Sequence, residues 1–271
     1  MKGTNCSFNQ EVKMRKLGAK VIVFDIETAP ILGYTWKLWD TDVVSVVRPS
    51  YLLCFCWKEL NKGPVHSASL RDYAPRGTNN DGEKKLVQKL WEVLDDVDVV
   101  IAHNGDAFDV KRANAFFMRW GLKPPTPFKT VDTLKEYKKV AKSDSHKLDT
   151  LGQDMGLGRK LRTGGITLWL DCIGGVGKAW VRMVSYCKQD VLLLEKFYNQ
   201  LLPWCKAHPN LSIYTGRPAC PRCGKSSLHS RGVRITNTGE TPRFQCQSCG
   251  GWCSGKWEKG EKPETAEYRL P

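Results

Sequence analysis

Two acidic side chains interrupt an apolar run near the start of the chain. Residues 21–30 read VIVFDIETAP, so Asp25 and Glu27 stand two residues apart in a segment with the composition of a buried strand. Residues two apart in a strand point to the same face, so both carboxylates project side by side. Two like charges held together repel unless a cation joins them. The pair therefore indicates either a metal site or an ordinary acidic pair exposed at a strand end.

Two later stretches carry further polar side chains at positions typical of functional sites. Residues 102–109 read AHNGDAFD, so Asp106 and Asp109 lie where a strand gives way to a helix. Open α/β sheets place ligand chemistry there, although either Asp could instead satisfy free amides at a helix start. Tyr186 and Asp190, in SYCKQD, stand four apart in a helical tract and share one face. The alternative for this pair is a surface Asp beside a Tyr at the core edge.

The hydrophobic pattern around these residues predicts a layered α/β domain, because strands come first and helices follow. Strands are predicted at 20–27, 51–57, 65–70 and 98–102, and helices at 83–94, 108–120, 148–155 and 179–204. Residues Gly33 to Pro49 fit no predicted strand. They are interpreted as a specialised loop over the site or an elaborated edge of the core.

The three motifs together resemble those of the DEDD superfamily of 3′-to-5′ exonucleases, which share a ribonuclease H-like fold. FDIET corresponds to the first motif, HNGDAFD with Asp109 to the second and YCKQD to the third. The tyrosine is typical of the DEDDy branch. The likeness is greatest to stand-alone, phage-type members related to the exonuclease domain of family B DNA polymerases, in which KLDTL (147–151) and a terminal cysteine cluster also appear. The resemblance covers about residues 20–205. It implies a mixed sheet flanked by helices.

The resemblance also implies a reaction and a role for each residue. Two divalent ions about 3.5–4 Å apart would activate water and neutralise the scissile phosphate, and oxygen ligands suit Mg²⁺ or Mn²⁺. Asp25 would bridge the ions, Glu27 and Asp190 would complete the water-activating site, and Asp109 would hold the second ion through water. Tyr186 would orient the attacking water rather than act as an efficient general base at neutral pH, because a free tyrosine has a pKa near 10. Nucleoside monophosphates would be released from a 3′ end, with DNA preferred by likeness to proofreading domains.

Two pairs of cysteines near the C-terminus predict a zinc site. CPRC and CQSC supply Cys220, Cys223, Cys246 and Cys249, and two such hooks can close a tetrahedral Zn²⁺ site. Residues 216–258 resemble a zinc ribbon. Cys253 is interpreted as a spare thiol, and two disulfides are the disfavoured alternative for the four cysteines in a reducing compartment.

The charge balance predicts a polyanionic partner. Lys and Arg total 42 against 28 Asp and Glu, a formal net charge of +14, which favours nucleic acid. The candidate nucleic-acid-binding residues in the ribbon are Arg222, Arg231, Arg234, Arg243 and Trp252. The alternative is a purely structural zinc unit whose aromatic residues form its small core.

The predicted organisation is a basic N-terminal extension (1–19), an exonuclease domain (20–208), a zinc ribbon (216–258) and a polar tail (259–271). No stretch has the apolar length of a secretory signal or a membrane helix, so the sequence predicts an intracellular, cytoplasmic protein without membrane partners. The resemblance adds a phage-encoded origin in a bacterial host. An exoribonuclease, a structure-directed endonuclease and a noncatalytic nucleic-acid-binding module remain alternatives, and the oligomeric state stays open.

Overall fold

The computed structural model covers the sequence motifs and most of the chain between them. It describes residues 18–39, 41–75, 80–236, 239–255 and 268–269. The predicted N-terminal extension 1–19 and tail 259–271 therefore lie almost entirely outside the described residues.

A five-stranded mixed sheet forms the centre of the fold. The first seven strands are β1 (Val21–Thr28), β2 (Leu32–Tyr34), β3 (Ser45–Arg48), β4 (Leu52–Glu59), β5 (His66–Ser69), β6 (Val99–Ala102) and β7 (Lys129–Asp132). The central sheet has the order β5, β4, β1, β6, β7, while β2 and β3 form a separate two-stranded hairpin. Strand β4 is antiparallel to β1 and β5, and β6 and β7 are parallel to β1. The acid-bearing strand β1 is therefore the middle strand.

Seven helices in the described part of the chain accompany this sheet. They are α1 (Leu70–Tyr73), α2 (Asn80–Asp95), α3 (Asp109–Arg119), α4 (Thr133–Val140), α5 (Leu148–Asp154), α6 (Thr167–Ile173) and α7 (Gly177–Leu201), with 3-10 turns at Leu202–Trp204 and Leu211–Tyr214. Helix α7 packs on β1 and β4 because Met183, Cys187, Val191 and Leu194 recur on one face and are buried. Helix α2 packs on β4 and β5. The predicted α/β class, a mixed sheet flanked by helices, is confirmed.

Several short elements were not predicted from the sequence. Strand β7 and helix α4 follow one another without a gap, and β7 has only four residues, too few for an alternating pattern to be recognised. Helix α6 has seven residues and lacks both a basic last turn and a side-chain cap. Part of the unassigned stretch 33–49 forms the β2–β3 hairpin, which sequence reasoning missed.

The C-terminal segment forms a second, antiparallel sheet. Its strands are β8 (Leu228–Thr236), β9 (Gly239–Cys246), β10 (Trp252–Gly255) and β11 (Tyr268–Arg269), in the order β11, β10, β9, β8. The segment before it contacts the main core, because Leu211 is buried there and its amide donates to the Pro221 carbonyl at 2.7 Å. The segment that leads into the small sheet is therefore anchored in the main core.

Candidate active site

Three of the predicted acids share one point of the structure. Asp25 and Glu27 project from β1 toward α7, which carries Asp190. One carboxylate oxygen from each residue lies within 4.8 Å of the others. The period of two in β1 explains this arrangement, because both strand acids face the helix that packs across the strand. The group has the composition of a site for hard divalent cations.

The fourth predicted acid borders this group. Asp109 is the first residue of α3 and is buried, and its Oδ1 accepts a hydrogen bond from the Ile26 amide at 3.2 Å. That contact sets its carboxylate beside the segment of β1 between the two strand acids. Asp106, the competing candidate, instead pairs with Lys135 at 2.7 Å. The structure therefore brings Asp109, and not Asp106, to the acidic group.

The loop that delivers Asp109 is held by its neighbours. Asp132 accepts hydrogen bonds from the amides of Asn104 and Asp106 and also caps α4. The His103 ring contacts the Thr133 hydroxyl and the His146 carbonyl, both at 2.9 Å. Asn104 adopts a left-handed conformation, with φ of 65°, that turns the chain toward α3. His103 and Asn104 thus have structural contacts in this loop.

Burial and mutual repulsion raise the pKa values of the acids. Burial is the main cause for each, and it raises the pKa of Glu27 to about 8 and that of Asp109 to about 7. The pKa of Asp25 is raised well above its usual range by burial and then by the charge of Glu27. Burial also raises the pKa of Asp190, although a neighbouring Lys160 opposes the rise. The four carboxylates therefore resist ionising together. A bound cation would relieve their mutual repulsion.

Tyr186 and Lys160 complete the polar group. Lys160 Nζ lies 2.6 Å from Asp190 Oδ2 and 3.4 Å from the Tyr186 hydroxyl. Its backbone amide donates to Asp149 Oδ1 at 2.6 Å, which fastens the loop to α5. Sequence reasoning missed Lys160. The signal that could have found it is a basic residue in the glycine-rich segment 156–165, between the second and third motifs.

The protonation of these two partners follows from their surroundings. Burial, followed by the charge of Asp190, raises the pKa of Tyr186, so its hydroxyl stays protonated at neutral pH. Burial acts to lower the pKa of Lys160, but the charges of Asp190 and Asp25 outweigh it and hold that pKa above its usual range. The site thus contains a neutral hydroxyl that can orient water and a permanent positive charge.

Two further side chains contact the acids. The indole of Trp169 lies beside Glu27 and packs edge-on against Tyr186, with ring centroids 6.0 Å apart. On the buried side, Cys187 Sγ lies 3.5 Å from Asp25 Oδ2. Both contacts restrict the rotamers of the strand acids, which is what a preformed metal site requires.

A buried oxygen atom of the acidic group gives a second indication of a divalent cation, independent of the sequence motif. Asp190 Oδ1 is buried and has no hydrogen-bond partner within the described ranges. A buried acceptor without a partner is costly. A cation bound by the three clustered carboxylates would supply the missing contact.

A cavity opens beside the acids. It has a volume of about 470 Å³, a size typical of small-ligand sites. Its lining runs from the end of β1 across to α3 and α6, and includes Pro30, Arg112, Ile166 and Trp169. One cation and several apolar surfaces suit a nucleotide, which combines a phosphate with a flat base.

The four predicted zinc ligands also come together. The Sγ atoms of Cys220, Cys223, Cys246 and Cys249 all lie within 4.8 Å of one another. The Cys220–Cys249 and Cys223–Cys246 pairs are 3.7 and 3.6 Å apart. Four sulfurs around one Zn²⁺ at 2.3 Å would lie about 3.8 Å apart, so the spacing fits a tetrahedral zinc site. The four thiols are free and form no disulfides with one another.

One predicted nucleic-acid contact is placed differently by the structure. Arg222 is only 3% exposed. Its Nε and Nη2 donate to the Cys205 carbonyl at 3.0 and 2.8 Å, and its Nη1 donates to the Trp252 carbonyl. These bonds use three of the five guanidinium N–H donors, and burial removes Arg222 from the residues open to a phosphate. The side chain instead clamps the zinc hook to the segment after α7.

The other predicted contacts of the ribbon face solvent. Arg231, Arg234 and Arg243 are exposed on β8 and β9. The Arg243 guanidinium lies 5.0 Å from the centre of the Trp252 ring and donates to the Arg231 carbonyl. This pair offers a cation and an aromatic ring on one surface.

Comparisons with known proteins agree with this architecture. A family model described as the RNase_H superfamily matches residues 60–202. The PolC-type DNA polymerase III of Ureaplasma parvum serovar 3 (strain ATCC 700970) is 26% identical over 138 residues, which make up 49% of this chain and 9% of that protein. The structure of the family B DNA polymerase from the hyperthermophilic archaeon Pyrobaculum calidifontis matches with a TM-score of 0.51 at 15% identity, covering 68% of this chain and 25% of that one. The chain thus spans a small part of either polymerase, and the structural likeness concerns the fold alone.

The hydropathy of the helices adds one observation. Within the described residues, none of the helices combines the length and apolar character that crossing a membrane requires.

Proposed function

Because the chain belongs to the RNase H superfamily and its acids converge on one point, we propose that it is a metal-dependent 3′-to-5′ exonuclease of the DEDDy type. The predicted ribonuclease H-like fold is confirmed by the family match. The observation that carries the proposal is the cluster of Asp25, Glu27 and Asp190 with the Tyr186 hydroxyl nearby. The substrate is a nucleic acid with a free 3′ end, and DNA is the preferred form.

Each residue has a role that follows from its position. Asp25, Glu27 and Asp190 would hold two Mg²⁺ or Mn²⁺ ions together with Asp109. When bound, these ions supply charge neutralisation at the scissile phosphate and lower the pKa of the attacking water. Tyr186 orients that water with a hydroxyl that remains protonated. The phosphorus–oxygen bond to the strand then breaks, leaving a shortened 3′-hydroxyl end and a nucleoside monophosphate.

The cavity beside the acids would receive the terminal nucleotide. Arg112 offers its guanidinium to a phosphate, and Trp169 and Ile166 offer flat or apolar surfaces to the sugar and base. Trp169 also lies beside Glu27. Binding of the nucleotide and placement of the acids would therefore depend on the same side chain.

The C-terminal segment would act as a zinc ribbon that helps to capture substrate. We assign residues 20–208 to the exonuclease domain and 216–258 to the ribbon, which holds one structural Zn²⁺ on its four clustered thiols. The exposed Arg231, Arg234 and Arg243, with Trp252, would contact phosphates and bases.

The experiment compares two neighbouring acids of one loop. Purified protein is incubated with single-stranded DNA or RNA of one sequence in Mn²⁺, and the Asp109→Asn and Asp106→Asn variants are assayed beside the wild type. We expect Asp109→Asn to slow strand shortening by about a hundredfold or more, because a carboxylate at the metal site is lost. We expect Asp106→Asn to leave the rate unchanged, because that carboxylate pairs with Lys135 outside the cluster.

Each alternative has its own outcome in the same assay. Equal rates for both variants and the wild type would contradict the assignment of Asp109. Faster shortening of RNA would indicate an exoribonuclease, and internal cuts would indicate an endonuclease. A strand that is bound but stays intact in every metal would indicate a noncatalytic binding module.

A further inference from the structure

The β2–β3 hairpin exposes an unusual amount of apolar surface. We call residues 31–39 and 41–48 the hairpin arm. Every large apolar side chain from Ile31 to Val47 is at least 43% exposed. The values are highest around its tip, where Tyr34, Trp36 and Trp39 are 69%, 84% and 81% exposed. An arm of this composition has an energetic cost in water that a binding partner would relieve.

The arm has little support of its own. Among the residues that the structure describes, strands β2 and β3 pair only with each other and are not part of the central sheet. An isolated two-stranded hairpin is marginally stable in water. Apolar patches of this kind on a soluble protein mark binding surfaces. The arm is therefore interpreted as part of an interface.

The position of the arm links it to the candidate active site. It begins three residues after Thr28, the last residue of β1. Its first residue, Ile31, lines the cavity that also contains Arg112 and Trp169. A strand whose end lies in this cavity can therefore reach the arm with the residues next to that end.

The chemistry of the tip favours a nucleic acid over a protein partner. Three aromatic side chains stand close together in sequence at the end of the arm, with Lys37 between Trp36 and Leu38. Aromatic rings beside a cation bind unpaired bases by stacking, without a preference for sequence. The chain also carries a formal net charge of +14. Within residues 31–48, Lys37 and Arg48 are balanced in the sequence by Asp40 and Asp42, so the aromatic rings rather than local charge favour unpaired bases.

We propose that the hairpin arm is a stacking surface for the unpaired bases of a single-stranded nucleic acid whose 3′ end lies in the cavity beside the acids. The inference rests on the proposed function in taking a nucleic acid as the substrate of that cavity. It adds a binding site for the strand upstream of the reacting end. The expected substrate is therefore a single strand rather than the blunt end of a duplex.

The experiment measures base-dependent binding without cleavage. Fluorescence anisotropy gives the dissociation constant of a 5′-labelled single strand, and of an abasic strand of equal length, with no added divalent ion. Trp36→Ala and Trp39→Ala are compared with Trp36→Phe, which keeps a ring. The matched control is Trp204→Ala, because Trp204 is 67% exposed but lies beyond the C-terminal end of α7.

We expect the wild type to bind the base-containing strand more tightly than the abasic strand. Each Trp→Ala change in the arm should raise the dissociation constant for the base-containing strand by about fivefold or more and leave the abasic value unchanged. Trp36→Phe should retain most of the affinity, and Trp204→Ala should match the wild type.

Two results would overturn the proposal. One is an unchanged dissociation constant for the variant that carries both Trp→Ala changes. The other is that this double variant no longer self-associates in ultracentrifugation while its strand binding is unchanged, which would show that a second copy covers the arm. Failure of the wild type to shorten any strand in Mn²⁺, with base-dependent binding retained, would refute the exonuclease and leave the stacking surface in place.

Discussion

Replacing Glu27 by Gln should stabilise the protein at alkaline pH when no divalent ion is bound. Burial, followed by the charge of Asp190, raises the pKa of Glu27 from 4.5 to about 8. The folded protein therefore binds this proton more tightly than the unfolded chain does. Stability is lost as pH rises from the unfolded value through the folded one. A glutamine cannot ionise, so the variant avoids this loss.

The size of the effect follows from the same values. A rise from 4.5 to about 8 corresponds to about 4–5 kcal/mol in full. The Glu27 side chain is partly accessible to solvent, so we expect on the order of 2–4 kcal/mol at pH 8. At pH 5, which is only about half a unit above the unfolded pKa of 4.5, little of this loss has yet occurred, so the difference should fall below about 1 kcal/mol.

The assay is chemical unfolding at pH 5 and pH 8, with and without Mn²⁺. Added Mn²⁺ should reverse the order at pH 8, because the ion binds the ionised carboxylate and stabilises the wild type. The control is Glu92→Gln on the exposed face of α2, which should change stability by less than about 0.5 kcal/mol at either pH. A Glu27→Gln variant that is less stable than the wild type at pH 8 without metal would refute the reasoning, as would a difference independent of pH.

Two further predictions concern the partners of the site, and a third concerns the buried arginine beside the cysteine cluster. Lys160→Met removes the cation paired with Asp190, so it should lower metal-free stability at pH 8 by about 3–5 kcal/mol and tighten Mn²⁺ binding in calorimetry; weaker Mn²⁺ binding would contradict this. Tyr186→Phe should reduce kcat by roughly a hundredfold without moving the alkaline limb of the pH–rate profile, because the hydroxyl stays protonated; a displaced limb would indicate a general base. Arg222→Gln should lower the free energy of unfolding by about 2–5 kcal/mol, because two backbone carbonyls lose their donor, whereas the exposed Arg234→Gln should have no effect on unfolding; equal stabilities would show that the clamp is unimportant.

The acids of the site were predictable because their spacing has a direct geometric meaning. Asp25 and Glu27 share a face by the period of a strand, and Tyr186 and Asp190 share one by the period of a helix. The choice between Asp106 and Asp109 depended on the resemblance, because both lie in one loop. The tertiary contacts that separate them, an ion pair to Lys135 and the Ile26 amide, have no sequence signature.

The residues that sequence reasoning missed or misplaced all depend on long-range contacts. Lys160 reaches Asp190 from a loop whose position is set by its amide bond to Asp149. Arg222 is surrounded by exposed basic residues in the sequence, and only the packing of the zinc hook against Cys205 shows it to be buried. The hairpin arm lacked the pattern of a half-buried strand because both of its faces expose apolar side chains.

The cysteine cluster illustrates how a ligand pattern can carry an incomplete structural expectation. Four cysteines at the expected spacing come together as the pattern indicated. The linker between residues 208 and 216 packs on the main core, since Leu211 is buried there. Local sequence patterns identify ligands well, because ligand spacing is local. They say little about the surface against which a small unit packs.

The product pattern from 5′-labelled single-stranded DNA tests the central claim most directly. The wild type in Mn²⁺ should give a ladder that shortens one nucleotide at a time from the 3′ end, and Asp25→Ala should give none. An intact strand, or a ladder that persists in Asp25→Ala, would contradict the assignment of the clustered acids as the centre of a 3′-to-5′ exonuclease.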